Sequence, residues 1–233
     1  MAELVQWPKA AKVDRLIPKE RLYAEASASA ALKQRFINEV QRVRWAYKLG
    51  EESLRLAPGE TVTEIQVFVI ELKGSDLDNS VLVSIDRSIP SQVIFELRRA
   101  TGRGTEQAMT AAYKRSGGKT KTADYFPTAW AGADQPRVPL PSALDMDGLY
   151  GQLLGVLLPH PKRLSEELSD ALERMDRIRS LGREVSALEK RVRAEPQFNR
   201  KVELRNQLRT KQTELDDLTK SDDRMTEDAA WRS

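Results

Sequence analysis

Residues 162–220 form two long charged stretches separated by one break, and each carries apolar residues at steps of three and four. Met175, Ile178, Leu181, Val185, Leu188 and Val192 follow this spacing in the first stretch, and Leu204, Leu208, Leu215 and Leu218 in the second. The spacing draws one narrow apolar stripe along each helix, and a stripe that narrow requires another helix against it. The break is Ala194-Glu195-Pro196-Gln197, because proline lacks the N–H that would continue the first helix. Each arm has about 25–30 residues, roughly 40 Å at 1.5 Å per residue. Gly182 and Lys211 weaken the seam. A C-terminal helical (coiled-coil) hairpin over residues 161–220 is therefore expected. It either closes on itself or offers Leu181, Val185, Leu188, Phe198, Leu204 and Leu208 to a protein partner.

The preceding residues, 1–160, read as an α+β head: a small mixed or antiparallel sheet with flanking helices. Leu32, Phe36, Val40, Val43 and Tyr47 share one face of a helix predicted over 30–47. Strands are predicted at 53–57, 61–73, 81–85 and 92–97. Of these, Thr61–Lys73 is apolar and β-branched through its middle, as a central strand buried on both faces should be. A hairpin follows, with arms 107–113 and 122–130 around Ser116-Gly117-Gly118. An amphipathic segment, 144–158, packs back on the sheet. Pro159 and Pro161 mark the boundary with the hairpin, and residues 221–233 read as a disordered tail.

The inventory of reactive groups is thin. Among 233 residues there is no cysteine and one histidine, His160, in the linker-like Leu158-Pro159-His160-Pro161. Disulfides, thiolate nucleophiles, multi-histidine metal sites and a histidine-based triad away from that linker are thereby excluded. No apolar run approaches the roughly 20 residues needed to span a bilayer, so no membrane association is expected and a cytoplasmic location is the natural reading. The net charge is only +3. Residues 161–233 hold 17 basic and 16 acidic side chains, so neither portion is a strongly basic nucleic-acid module.

Two chemical readings stand out. Glu71-Leu72-Lys73 ends the central strand and matches the second half of the PD-(D/E)xK nuclease signature, in which two carboxylates hold Mg²⁺ and the lysine helps activate water. The upstream carboxylate is missing, and Asp86 is the nearest strand-end acid downstream. Mg²⁺ is a cofactor only under that alternative; otherwise no cofactor and no catalytic residue is expected. Arg98, Arg99, Arg103, Lys114, Arg115, Lys119 and Lys121 form the second reading: a local basic patch suited to a nucleic-acid backbone, or simply a solvated loop. Ser116-Gly117-Gly118-Lys119-Thr120 lacks the first glycine of a P-loop, where Tyr113 stands, and is a turn.

Several segments in order carry a resemblance: Val13-Asp14-Arg15-Leu16-Ile17-Pro18-Lys19, Val43-Arg44-Trp45-Ala46-Tyr47-Lys48-Leu49, Glu64-Ile65-Gln66-Val67-Phe68 through Lys73, Ile85-Asp86-Arg87-Ser88-Ile89-Pro90 and Glu195-Pro196-Gln197-Phe198-Asn199-Arg200-Lys201. Over about residues 10–220 the chain resembles a bacterial and archaeal family catalogued as a domain of unknown function. Its members are often encoded beside DEAD/DEAH-type helicases and DNA methyltransferases, in clusters similar to restriction or other anti-phage defence systems. Arg205 departs from the pattern, where an asparagine is expected after Glu203-Leu204. The resemblance implies a helicase or methyltransferase as partner and supplies no catalytic residues. The expected function is a non-catalytic accessory or assembly subunit of such a complex, with or without contact to DNA. The alternatives are the Mg²⁺-dependent nuclease and a homo-oligomeric DNA-binding protein.

Overall fold

The computed structural model describes residues 4–25, 29–112, 125, 127–163 and 166–220, which divide into two compact units, 1–157 and 158–233. The first unit is built around β4 (Glu64–Leu72), whose residues from Ile65 to Ile70 are buried without interruption. A strand with apolar side chains on both faces needs cover on both, which only a central position provides. β4 pairs antiparallel with β3 (Val40–Gly50) and parallel with β5 (Gln92–Thr101). The parallel pair is joined by a crossover helix, α4 (Asn79–Arg87), because parallel neighbours cannot be joined by a tight turn. β2 (Lys12–Ile17) flanks β3, and β6 (Gly104–Ala111) and β7 (Ala131–Gly132) follow β5, giving six strands in the order β2-β3-β4-β5-β6-β7. All pairings except β4–β5 are antiparallel.

Helices α1 (Lys19–Glu25), α2 (Ala30–Glu39) and α4 supply one apolar layer: Leu22, Phe36, Leu82 and Ile85 join Val43, Phe68, Ile70, Phe95 and Leu97 in a single cluster. Helix α5 (Met146–Leu157) buries Met146, Leu149, Tyr150, Leu153, Leu154 and Leu157, and the Tyr150 hydroxyl donates to the Ala112 carbonyl, 2.8 Å away, just past the end of β6. A short parallel pair, β1 (Val5–Gln6) with β8 (Val138–Pro139), completes the unit.

Three sequence expectations are corrected. The helix predicted over 30–47 stops at Glu39, and residues 40–50 are β3. Register shifts between Val40 and Arg42 and between Trp45 and Tyr47 insert extra residues. Val40, Val43, Ala46 and Leu49 are therefore buried at steps of three, which imitates a helix. Residues 81–85 are not a strand but the middle of α4. All six residues from Val81 to Asp86 are buried there, so no polar face betrays the helical period. In place of a strand at 53–57 there is a one-turn helix, α3 (Glu51–Leu54), closed by Arg55 in the left-handed region, and a single bridge from Ala57 to Asp145. A further tight hairpin, not expected from the sequence, joins β5 to β6 at Thr101–Gly104, while the first arm of the expected hairpin is part of β6 and pairs antiparallel with Ala131–Gly132. The Ser116-Gly117-Gly118 turn lies outside the described residues.

In the second unit α6 (Leu168–Ala194) and α7 (Phe198–Thr219) pack as a hairpin. Leu181, Val185, Leu188 and Leu204 are buried. Lys211, the anomaly on the seam, bonds across it to Glu184 at 3.0 Å, and Arg177 pairs with Glu214. Arg174 is 7% exposed and holds Glu166 at 2.7 Å while donating to the Leu218 carbonyl. Residues 221–233, expected to be a tail, lie outside the described residues.

Candidate functional site

The nuclease motif occupies the carboxyl end of β4, and its neighbours determine what it can do. Glu71 lies between Arg42 on β3 and Arg98 on β5 in the strand register, and Arg42 approaches it to 3.7 Å. Lys73 is tied back to helix α2, its ammonium donating to the Ile37 carbonyl at 2.6 Å. Asp86 is 1% exposed in the last turn of α4. The crossover carries α4 back toward Gln92, which pairs with Ile65, six residues from Glu71. That separation is about 20 Å at 3.3 Å per residue. The three groups therefore do not converge. No cluster of three His, Cys, Asp or Glu suited to a metal exists among the described residues. The donors do not fit Mg²⁺, because a cation beside Glu71 would face an arginine where a second carboxylate is needed.

Of the expected basic patch, Arg98, Arg99 and Arg103 fall among the described residues. Arg98 and Arg99 are consecutive on β5 and point to opposite faces. Arg98 lies 3.5 Å from Glu96, whereas Arg99 grips Glu106 at 2.8 Å and stacks 4.0 Å over the Trp130 ring. Arg103 is exposed in the β5–β6 turn. Lys114, Arg115, Lys119 and Lys121 lie outside the described residues.

On the face of the sheet bearing Glu71, the dominant polar feature is Glu96. It is 1% exposed, yet it stands in an apolar strand, Val93-Ile94-Phe95-Glu96-Leu97. Its carboxylate accepts from the Trp7 indole at 2.6 Å and from both terminal nitrogens of Arg137, at 2.6 and 3.2 Å. Arg137 also donates to Gln107 and to the Val5 carbonyl. A buried charge is tolerable when paired and fully hydrogen-bonded. These bonds pin the amino-terminal segment and the 137 segment onto the sheet, so the cluster is a structural lock. An acid flanked by Phe95 and Leu97 was its one sequence signal; Trp7 and Arg137 lie 89 and 41 residues away and gave none.

In the second unit, the expected partner contacts separate into two groups. Leu181, Val185, Leu188 and Leu204 are buried, and Leu208 is half-buried. Phe198 is 74% exposed at the start of α7, and Val202, one turn on, is 38% exposed. Beside Leu188 a groove of about 500 Å³ runs between the helices, lined by Glu184, Ala187, Arg191, Gln207, Thr210 and Lys211.

A family model described as Domain of unknown function (DUF4391) matches residues 5–215. No curated protein and no solved structure matches the chain.

Proposed function

The chain belongs to the DUF4391 family, a domain of unknown function, and we propose that it serves as a non-catalytic accessory subunit that assembles with a helicase or a DNA methyltransferase in a cytoplasmic anti-phage defence complex. The observation that carries the docking role is the hairpin. Its stem matches charge with charge internally, through Arg174–Glu166, Arg177–Glu214 and Lys211–Glu184, while Phe198 remains 74% exposed beyond it. A large aromatic side chain left in water at the end of a charge-matched stem is a characteristic contact anchor. The choice of partner rests on the gene neighbourhood that the resemblance implies. Affinity purification of the tagged chain after co-expression with the neighbouring helicase and methyltransferase tests the proposal. One or both should be retained, and retention should be lost on truncation to residues 1–160. A chain that stays alone in this experiment rejects the reading.

The nuclease alternative is favoured by one observation: Glu71-Leu72-Lys73 does end the central strand beside the parallel crossover, where open sheets often bind ligands. Arg42 and the tethered Lys73 oppose it. Mg²⁺-dependent DNA cleavage that is lost in Glu71→Ala and retained in Arg42→Ala would revive it.

A further inference from the structure

Charge along the hairpin is unevenly distributed once the two helices lie side by side. Residues 189–205, the segment on either side of the 195–197 break, contain six basic side chains, Lys190, Arg191, Arg193, Arg200, Lys201 and Arg205, against Glu189, Glu195 and Glu203. The rest of the hairpin, 166–188 and 206–220, holds seven basic against nine acidic residues. The tip is thus basic and the root slightly acidic. All six cations lie within about 12 Å of the break along the helix axes at 1.5 Å per residue.

Pairing differs in the same sense. Five of the seven root cations are engaged, Arg174 with Glu166, Arg177 with Glu214, Arg179 with Asp176, Lys211 with Glu184 and Lys220 with Asp217, whereas Arg183 and Arg209 make no ion pair among the described residues. At the tip, Lys190, Arg191, Lys201 and Arg205 make no ion pair among the described residues. Arg200 approaches Glu195 only to 3.6 Å and is 64% exposed.

Helix stability accounts for half of this arrangement. Arg191 and Arg193 stand in the last turn of α6, where the partial negative charge of the helix end favours cations. Arg200 and Lys201 stand in the first turn of α7, where the partial charge is positive. That turn has no acidic residue and no side-chain cap. Cations there oppose the helix that bears them. A net excess of three positive charges within one hairpin end, with Arg200 and Lys201 placed against the dipole, is suited to an external polyanion. Phe198 stands among them, 74% exposed, on the same turn as Arg200 and Lys201.

We infer that the hairpin tip binds single-stranded nucleic acid, with Arg191, Arg200, Lys201 and Arg205 on the phosphates and Phe198 stacked on a base. Phosphate contacts supply sequence-independent affinity, and an exposed aromatic side chain among them selects unstacked bases over duplex. The assembly reading uses the same exposed Phe198 as a protein contact; here that side chain is assigned to a base, so the two readings compete for one residue. A nucleic-acid contact on the hairpin is thereby added to the one expected at the sheet loops.

The test is fluorescence anisotropy of the full chain with a labelled oligo(dT) and with a duplex of equal length, over a range of salt. The expected result is binding to oligo(dT) with log Kd rising by about 0.7 per log unit of salt for each phosphate contacted. Arg200→Glu with Lys201→Glu should weaken it at least tenfold. Those substitutions favour the start of α7, so loss of binding is not loss of fold. Phe198→Ala should weaken oligo(dT) binding about tenfold and leave duplex binding unchanged. Unchanged oligo(dT) affinity in the Arg200/Lys201 variant, equal losses on both nucleic acids in Phe198→Ala, or binding to anionic lipid vesicles without binding to oligo(dT) would each overturn the inference. Co-purification with a helicase or methyltransferase is a separate readout, so the assembly proposal can fail while this one stands, and the reverse.

Discussion

Asp147 shows how one side chain can fasten two distant segments. In the first turn of α5, its carboxylate accepts from the backbone N–H groups of Glu60, Thr61 and Val62 and from the Thr61 hydroxyl. Burial pushes its pKa up, but the Thr61 hydroxyl and the three backbone donors outweigh that and hold it below the usual value of 3.8. A folded pKa below the unfolded one means that the contribution is complete above about pH 3.8 and is lost as pH falls through the folded value. Asp147→Asn should cost about 1 kcal/mol at pH 7, after allowance for partial exposure. In urea melts the deficit should shrink toward pH 3. Gly59→Ala should be similarly harmful, because a Cβ there would collide with the same carboxylate. Glu96 carries a larger effect. Glu96→Ala leaves the buried Trp7 indole without its acceptor and the half-buried Arg137 without its carboxylate, though still bonded to Gln107 and Val5, a loss of roughly 3 kcal/mol, detectable as a lower midpoint of unfolding and an altered Trp7 emission.

At the scale of elements, legibility followed the regularity of the side-chain period. β4 and β5 were visible as apolar β-branched runs, and α6, α7 and the Pro196 break were visible from spacing alone. β3 was not, since its two bulges turned a period of two into steps of three; nor was α4, buried almost all round. Glu71 was read correctly at the end of β4, with Lys73 just past it, but their surroundings come from β3, α2 and β5, and no local pattern records a cross-strand arginine. Lys211 illustrates the converse: a defect in the stripe became a cross-helix ion pair. Its bond to Glu184 raises the lysine's pKa and lowers that of the glutamate. Lys211→Glu should therefore melt the helical circular-dichroism signal at lower temperature. The gap from the native chain should narrow in 1 M salt, where exposed charges are screened, and below about pH 4.5, where Glu184 and Glu214 lose charge in the unfolded chain and then in the folded one.

For the whole molecule, the two units each have buried apolar residues of their own, so truncation to residues 1–157 should leave a folded sheet. The measurement is a cooperative thermal transition in that fragment; a fragment lacking one would show that the head depends on the hairpin. No helix among the described residues is long and apolar enough to cross a membrane. How the sheet ends matters for assembly. β2, at its margin, is interrupted at Asp14, whose φ of 57° lies in the left-handed region and accompanies a slip in register between Lys12 and Arg15. β7, at the other margin, is two residues long. An incoming strand needs a straight row of alternating donors and acceptors, and among the described residues neither β2 nor β7 offers one of useful length. β2 and β7 thus discourage growth by strand addition into dimers or fibres, which shifts the choice of company toward side chains.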